Sequence, residues 1–364
     1  MADKPGGSLD PDGSPRAAEA GRFRGRLTAG GFAVTAEIGP PRGADTAPVA
    51  RKAAHLRGFV DAVNITDNQS AAVRLSSLAG SLATLGAGVE PIMQLTCRDR
   101  NRIALQSELL SASALGIPNV LIMTGDHPRH GDHADAKPVF DLDSIQLLRV
   151  ATDMRDQGRL MSGGELRPAP RWFLGAVENP PGPAVRSDVA SLGAGAAAGS
   201  GAAGLDADAG LGAAAGLGAG ARADAAEATE RATFRLASKI EAGAQFVQTQ
   251  FVFDVPAFAA WMARIRDLGL DERCYILAGV GPVRSQRALA HMATIPGVVI
   301  PEDVADRLTA AGPDGIRAEG ERLCSELIAE LALVPGVAGV HVMAIGAESS
   351  IPEILQRAGI PPRT

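Results

Sequence analysis

The chain has 364 residues and a net charge of −6, with acidic and basic residues interspersed. That is enough for one large domain or two ordinary ones. No basic face or aromatic-interleaved stripe points to nucleic acid. The longest apolar run, Leu331 to Ala347, is broken by Pro335 and Gly336, which excludes a membrane span in favour of a helix end, a turn and a buried strand.

Residues 1–22 are rich in Gly, Pro and Asp and lack the apolar core of a signal peptide, so they read as a flexible tail. The first alternating run is Phe32 to Ile38. It stops at Gly39-Pro40-Pro41, because proline has no N–H for a sheet ladder. Glu37 therefore lies on a strand just before its C-terminal end. A helix follows over Thr46 to Leu56, then a second strand over Val60 to Thr66 and a helix from Ser70 to Leu85. Strand three is Glu90 to Thr96, with a helix over Asn101 to Leu115. Strand four is Asn119 to Thr124, followed by a polar loop to Phe140 and a helix from Asp143. Strand five is Trp172 to Val177. A helix over Glu227 to Ala242 precedes strand six, Gln245 to Phe251. Strand seven is Cys274 to Val280, strand eight Gly339 to Ile345, and a last helix covers Ile351 to Arg357.

Eight strands alternating with helices predict an α/β fold, a (β/α)8 TIM barrel in a single domain over 23–364. A Rossmann sheet would need a glycine fingerprint after its first strand, and Gly39-Pro40-Pro41 is not one. A low-complexity insertion at about 183–225 interrupts the barrel. Between Ser191 and Gly220, 22 of 30 residues are Gly or Ala. Such a stretch buries too little apolar area to offset its ordering entropy and reads as disordered. Its match to GxGxxG at Gly199 to Gly204 has no strand before it and is rejected. The cysteines, Cys97, Cys274 and Cys324, form no CxxC pair and no disulfide framework, which predicts a reducing, cytoplasmic setting.

The C-terminal ends of barrel strands carry chemistry. Strand four runs into Thr124-Gly125-Asp126, where Gly125 allows unusual backbone angles and Asp126 can reach a ligand or cap a turn. His127, His130 and His133 with Asp132 suggest a metal, but they lie on a polar loop without sulfur, and none is assigned. Alternation puts Gln248 and Gln250 of strand six on one face, where a heterocycle's amide edge or neighbouring strands could satisfy them. Lys239 stands on the preceding helix.

Taken together, these residues resemble the methylenetetrahydrofolate reductase family, in a divergent bacterial branch. The likeness runs from about Gly31 to Ile360, less the insertion. It rests on Glu37 in Ala-Glu-Ile-Gly-Pro-Pro, on Thr66, Leu95-Thr96-Cys97 and Gly125-Asp126. It includes Lys239 with Ala242-Gly243-Ala244, and Thr249 to Asp254. The resemblance implies FAD at the C-terminal face and reduction of 5,10-methylenetetrahydrofolate to 5-methyltetrahydrofolate, within one-carbon and methionine metabolism. NAD(P)H or another donor would reduce the flavin. Glu37 would be the general acid, Asp126 would lie near flavin and pterin, and Gln250 would bind the folate. The resemblance places Thr66, Gln94, Met123, Thr124, Gly125, Asp126, Ala176, Arg235 and Lys239 at FAD. It also implies homo-oligomers.

The chain departs from the family pattern at Gln94, where many bacterial members carry histidine. It departs again at Gln286, in the place of an aromatic that stacks on the nicotinamide donor, and at Met343 and Ala347, in the places of a tyrosine and an arginine. The competing reading is a non-redox pterin-binding methyltransferase, or a partner of a corrinoid methyl-transfer system, on the same barrel. A non-catalytic folate-binding protein would have no need of the acid.

Overall fold

The computed structural model describes residues 21–181, 219–295, 297–344 and 346–363. Its strands are β1 (Ala33–Ile38), β2 (Ala62–Ile65), β3 (Pro91–Thr96), β4 (Asn119–Met123), β5 (Phe173–Glu178), β6 (Phe246–Phe251), β7 (Tyr275–Val280) and β8 (Val337–Val342). They pair in chain order, all parallel, and β8 returns to β1 to close a barrel. The helices are α1 (Arg22–Thr28), α2 (Ala47–Leu56), α3 (Ser77–Gly86), α4 (Arg102–Ala114), α5 (Ser144–Asp156), α6 (Ala219–Glu241), α7 (Val255–Asp267), α8 (Gln286–Met292), α9 (Glu302–Ala310), α10 (Gly312–Leu331) and α11 (Ile351–Arg357). The alternation is that of a (β/α)8 barrel, as the sequence predicts.

Several boundaries differ from expectation for local reasons. The third helix starts at Ser77 rather than Ser70, because Asn68, Ser70 and Ala71 have left-handed backbones and Ser76 supplies the N-cap to Ala79. β8 starts at Val337, directly after the left-handed Gly336, and ends at Val342 rather than Ile345. The sixth helix starts at Ala219, ahead of the expected Glu227. The rest of the expected insertion, through residue 218, and residues 1–20 of the expected tail lie outside the described residues.

Helix α1, like α7, α8 and α9, was not anticipated by the sequence reading. It caps the N-terminal end of the barrel. Glu90, at the foot of β3, accepts from the amides of Arg22 and Phe23 and from Asn119 Nδ2, so it ties the start of α1 to two strands. Burial pushes the Glu90 carboxyl above its ordinary value, against the pull of these donors. Phe23 then enters the barrel edge-on to Phe173 and Phe246, with ring centroids 5.7 and 5.1 Å away. Gly175 has no side chain for a physical reason: a Cβ there would lie 2.2 Å from the Phe246 ring.

Inward-facing side chains stack in layers above this plug. The lowest layers are apolar, with Ala33, Ala62, Ile92, Leu121, Phe173, Phe246 and Leu277 packed on Phe23 and Leu27. The next layer is polar, with Thr35, Asn64, Gln248 and His341, each at most 3% exposed. The alternate residues, such as Val34, Ala36, Val63 and Met93, pack outward against the helices in the main core.

Phe23→Ala should destabilise the fold by about 3–5 kcal/mol, because it empties the plug without a side chain to refill it. A urea titration would show this as a lowered midpoint at unchanged slope, and a wild-type midpoint would contradict the plug.

Candidate active site

At the C-terminal mouth, Glu37 on β1 and Gln94 on β3 meet directly: Gln94 Nε2 donates to Glu37 Oε2 at 2.9 Å. The same carboxylate oxygen lies 3.7 Å from His341 Nε2 on β8. Beneath them, His341 Nδ1 is 3.0 Å from Thr35 Oγ1, and Gln248 Nε2 donates to that oxygen at 3.0 Å. Gln248 and Asn64 exchange a pair of amide hydrogen bonds at 2.6 and 3.1 Å. Every member of this layer has partners, as buried polar groups require.

Gln250 sits higher on β6 and is half-buried. Its register against β7 is irregular between Gln248 and Phe251, and its Oε1 accepts from the Phe251 amide at 3.0 Å. Gln248 is therefore held across the barrel by β1 and β2, while Gln250 sits at the mouth, and among the described residues its Nε2 has no hydrogen-bond partner.

The loops after β2, β3 and β4 are locked together by charge. Asp67, with a fully buried side chain, accepts from the amide and hydroxyl of Thr96 and pairs with Arg100 at 2.7 Å. Arg98 grips Asp99 through two bonds of 2.8 and 2.7 Å and donates to the backbone carbonyls of Asn68 and Asp126. Burial alone would raise the Asp99 carboxyl; the Arg98 contact outweighs it and holds the group below its ordinary value. Gly125 has φ +86°, and a Cβ there would come within 3.0 Å of Thr96, so the chain passes the end of β3 too closely for a side chain. The Asp126 carboxylate is exposed while its backbone is held by Arg98.

The other candidate residues fall in different environments. Thr66 is buried with its hydroxyl on Gln69 Oε1 at 3.3 Å. Met123 points into the barrel, Thr124 is exposed with its hydroxyl 3.2 Å from Ser144, and Ala176 packs outward in the main core. Lys239 and Arg235 converge on Glu178 at the end of β5: Lys239 Nζ is 2.6 Å from one carboxylate oxygen and Arg235 Nη2 is 2.8 Å from the other. Lys239 also donates to the Val177 carbonyl. Of the departures, Gln286 opens α8 in an exposed position, Met343 is half-buried and Ala347 is buried. His127 and His130 both bond Arg129, and Asp132 caps the Val73 amide and faces Arg42. Among the described residues no group of three or more His, Cys, Asp or Glu side chains is placed to hold a metal ion.

Sequence reasoning passed over His341, Thr35, Asn64, Asp67, Arg98, Arg100 and Glu178. The available signal was period-two polarity: Thr35 and Glu37, Asn64 and Thr66, Gln94 and Thr96 each place two polar groups on the inner face of one strand. The ion partners had no such signal: Arg98 pairs with the adjacent Asp99, and Arg100 finds Asp67 on a different loop.

Fold and mouth together define a (β/α)8 barrel with a carboxylate-centred polar cluster at the end where barrel enzymes keep their active sites. The model of one family, Methylenetetrahydrofolate reductase, matches residues 22–158 and 220–359. The chain belongs to the methylenetetrahydrofolate reductase family. It is 21% identical over 274 residues to methylenetetrahydrofolate reductase 1 of Schizosaccharomyces pombe, covering 75% of this chain and 36% of that protein. It is 23% identical over 287 residues to a probable methylenetetrahydrofolate reductase (NADPH) of Caenorhabditis elegans, covering 78% of this chain and 34% of that one. The chain thus spans about a third of the length of these relatives. An uncharacterized protein from Clostridium thermocellum, described as binding two copies of 5-methyl-5,6,7,8-tetrahydrofolic acid, superposes with a TM-score of 0.59. It is 13% identical, with coverage of 93% of this chain and 99% of that one, and the likeness is one of fold. Among the described residues no helix is long and apolar enough to cross a membrane.

Cys97, just beyond the end of β3, is fully buried. Burial pushes its thiol up to about 12, with Asp143 adding to the rise and Arg100 opposing it. Cys324 is likewise pushed up to about 12 by burial. The native protein at pH 8 should therefore show no rapid reaction with a disulfide reagent, and all three thiols should react in denaturant. Fast native labelling at Cys97 would contradict the buried site.

Proposed function

We propose that the protein reduces 5,10-methylenetetrahydrofolate to 5-methyltetrahydrofolate, with Glu37 as the general acid. The observation that carries this reading is Glu37 itself, in a chain of this family, at the C-terminal end of β1 with Gln94 and His341 around one oxygen. Among the described residues, no protein donor meets Glu37 within hydrogen-bond range except Gln94, and that bond goes to Oε2. Oε1 is left for a substrate. The protonated acid delivers its hydrogen to the folate nitrogen that leaves the bridging carbon. The C–N bond breaks with its electron pair going to that nitrogen, and the second nitrogen's lone pair forms a cationic iminium. A hydride then completes the methyl group. Asp126, fixed through its backbone by Arg98, places an exposed negative charge at the mouth and would stabilise that cation. The free amide end of Gln250 suits the pterin's hydrogen-bonding edge.

For FAD, the donor set fits by charge type. Lys239 and Arg235 form a pair of cations at the end of β5 and already hold one anion, the Glu178 carboxylate. These two side chains would hold the diphosphate, and Thr66 and Gly125 would line the loops beside it. Bound there, FAD would supply the hydride and be re-reduced by NAD(P)H or another donor. Glu178 competes with any phosphate for the same cations.

Glu37→Gln should lower the rate of methylenetetrahydrofolate reduction by about 10²–10⁴-fold while 5-methyltetrahydrofolate still binds in calorimetry. Turnover of this variant at the wild-type rate would remove Glu37 from the mechanism. Glu178→Gln should bind FAD at least several-fold more tightly, read by quenching of flavin fluorescence. Unchanged affinity would place the diphosphate elsewhere.

A further inference from the structure

The cations that frame the mouth are mostly spent. Arg98, Arg100, Arg235, Lys239 and Arg42 each face a carboxylate of the protein. Arg284, in the loop after β7, differs. It is exposed, and among the described residues it has neither a hydrogen bond nor an ion pair. Its position is nevertheless defined. A Cβ on Gly346 would lie 3.3 Å from Arg284 Nη1, so the guanidinium reaches from the β7 loop to the turn after β8. That turn brings no cation of its own, because Gly346 has no side chain and Ala347 is buried.

The neighbours of β7 change in order along the strand and out into this loop. A Cβ on Gly279 would lie 2.7 Å from the Gln250 carbonyl and 2.8 Å from Met343 Cε. One on Gly281 would lie 2.6 Å from the Phe251 ring and 2.5 Å from the Met343 carbonyl. Both positions are too crowded for a side chain, and their bareness lets Phe251 of β6 and Met343 beyond β8 close over β7 from either side. Both of these apolar side chains are half-buried, so each keeps part of its surface open. The sector therefore presents, going outward, the Gln250 amide with its Nε2 unpartnered among the described residues, then a ring and a thioether, then a guanidinium. A reduced folate carries the matching groups in the same order: the amide edge of the pterin, the aminobenzoyl ring, and the carboxylates of the glutamate.

We propose that Arg284 is a specificity-determining residue that binds a carboxylate of the folate's glutamate tail. The aminobenzoyl ring lies against Phe251 and Met343, where aromatic and thioether surfaces pack well. A guanidinium and a carboxylate bond through two parallel N–H···O contacts in one plane, so Arg284 fixes the direction of the tail as well as neutralising its charge. The site thereby favours a ligand with a free tail carboxylate over a bare pterin. This contact rests on the folate reading of the mouth and deepens it.

Calorimetry on the full-length protein tests it with 5-methyltetrahydrofolate, the dimethyl ester of its glutamate, and 5-methyltetrahydropterin, which lacks the tail. Wild type should bind the free acid about fivefold more tightly than the ester, the scale of a well-aligned exposed ion pair, and added salt should narrow the difference. Arg284→Ala should bind the free acid about fivefold more weakly than wild type and lose the preference over the ester. Arg284→Lys should keep part of it, and the bare pterin should bind wild type and Arg284→Ala alike. Equal affinity of Arg284→Ala and wild type for the free acid overturns the proposal. An equal loss for all three ligands also overturns it, because that would mark a structural role. A raised KM for NAD(P)H in Arg284→Ala with folate binding unchanged would assign the cation to the donor's phosphates and overturn it too. The tail preference without any wild-type turnover of methylenetetrahydrofolate would refute the reductase reading and leave the contact standing. Absence of 5-methyltetrahydrofolate binding by wild type would refute both.

Discussion

Four polar side chains from four strands, Thr35, Asn64, Gln248 and His341, meet in the middle of a closed barrel, where each has to find its partners among the others. A closed sheet leaves no edge and little water inside, so an unpaired amide or hydroxyl there would cost about 1–3 kcal/mol. That constraint sets the orientation of the Gln248 amide, makes Thr35 Oγ1 its acceptor, and brings His341 Nδ1 to the same oxygen, with the imidazole's other nitrogen 3.7 Å from Glu37. The apolar floor under this layer is sealed by Phe23, whose helix is tied down by Glu90. The Glu37 carboxylate at the mouth thus stands above a polar layer and an apolar floor closed at the opposite end of the barrel.

The mouth is organised differently. Its loops are held by ion pairs, Asp67 with Arg100 and Asp99 with Arg98, which carry the backbone of Asn68 and Asp126. Charge-assisted bonds fix loop geometry where no strand ladder can. Among the described residues, the Asp126 carboxylate and Gln250 Nε2 take no hydrogen bond in this framework. Glu178 takes the opposite part: it satisfies Lys239 and Arg235 internally, and a second anion must compete with it.

Much of this was legible in the chain. The strand order and the end of β1 followed from alternation and from Pro40-Pro41, and the position of Glu37 followed from both. Local signals failed at the third helix, because three left-handed residues between Asn68 and Ala71 delay its start until Ser76 can cap it. They failed at α1 as well, since Phe23 is a core residue only by virtue of Phe173 and Phe246, which lie more than a hundred residues away in sequence. Lys239 read by resemblance as a ligand-binding lysine; its partner Glu178 sits on the far side of a long, compositionally biased stretch.

The sequence by itself determined the class of fold and which strand ends bear polar groups, because period-two burial and the backbone limits of proline and glycine act over a few residues. The tertiary structure alone decided which of those groups meet. His341 lies 304 positions beyond Glu37 in the chain and reaches it because β8 closes on β1. Gln248 and Gln250, two residues apart, have different surroundings: one is satisfied inside the barrel by β1 and β2, and the other turns onto its own backbone where the β6 register breaks. Closure of the barrel sets these contacts, and no local pattern encodes it.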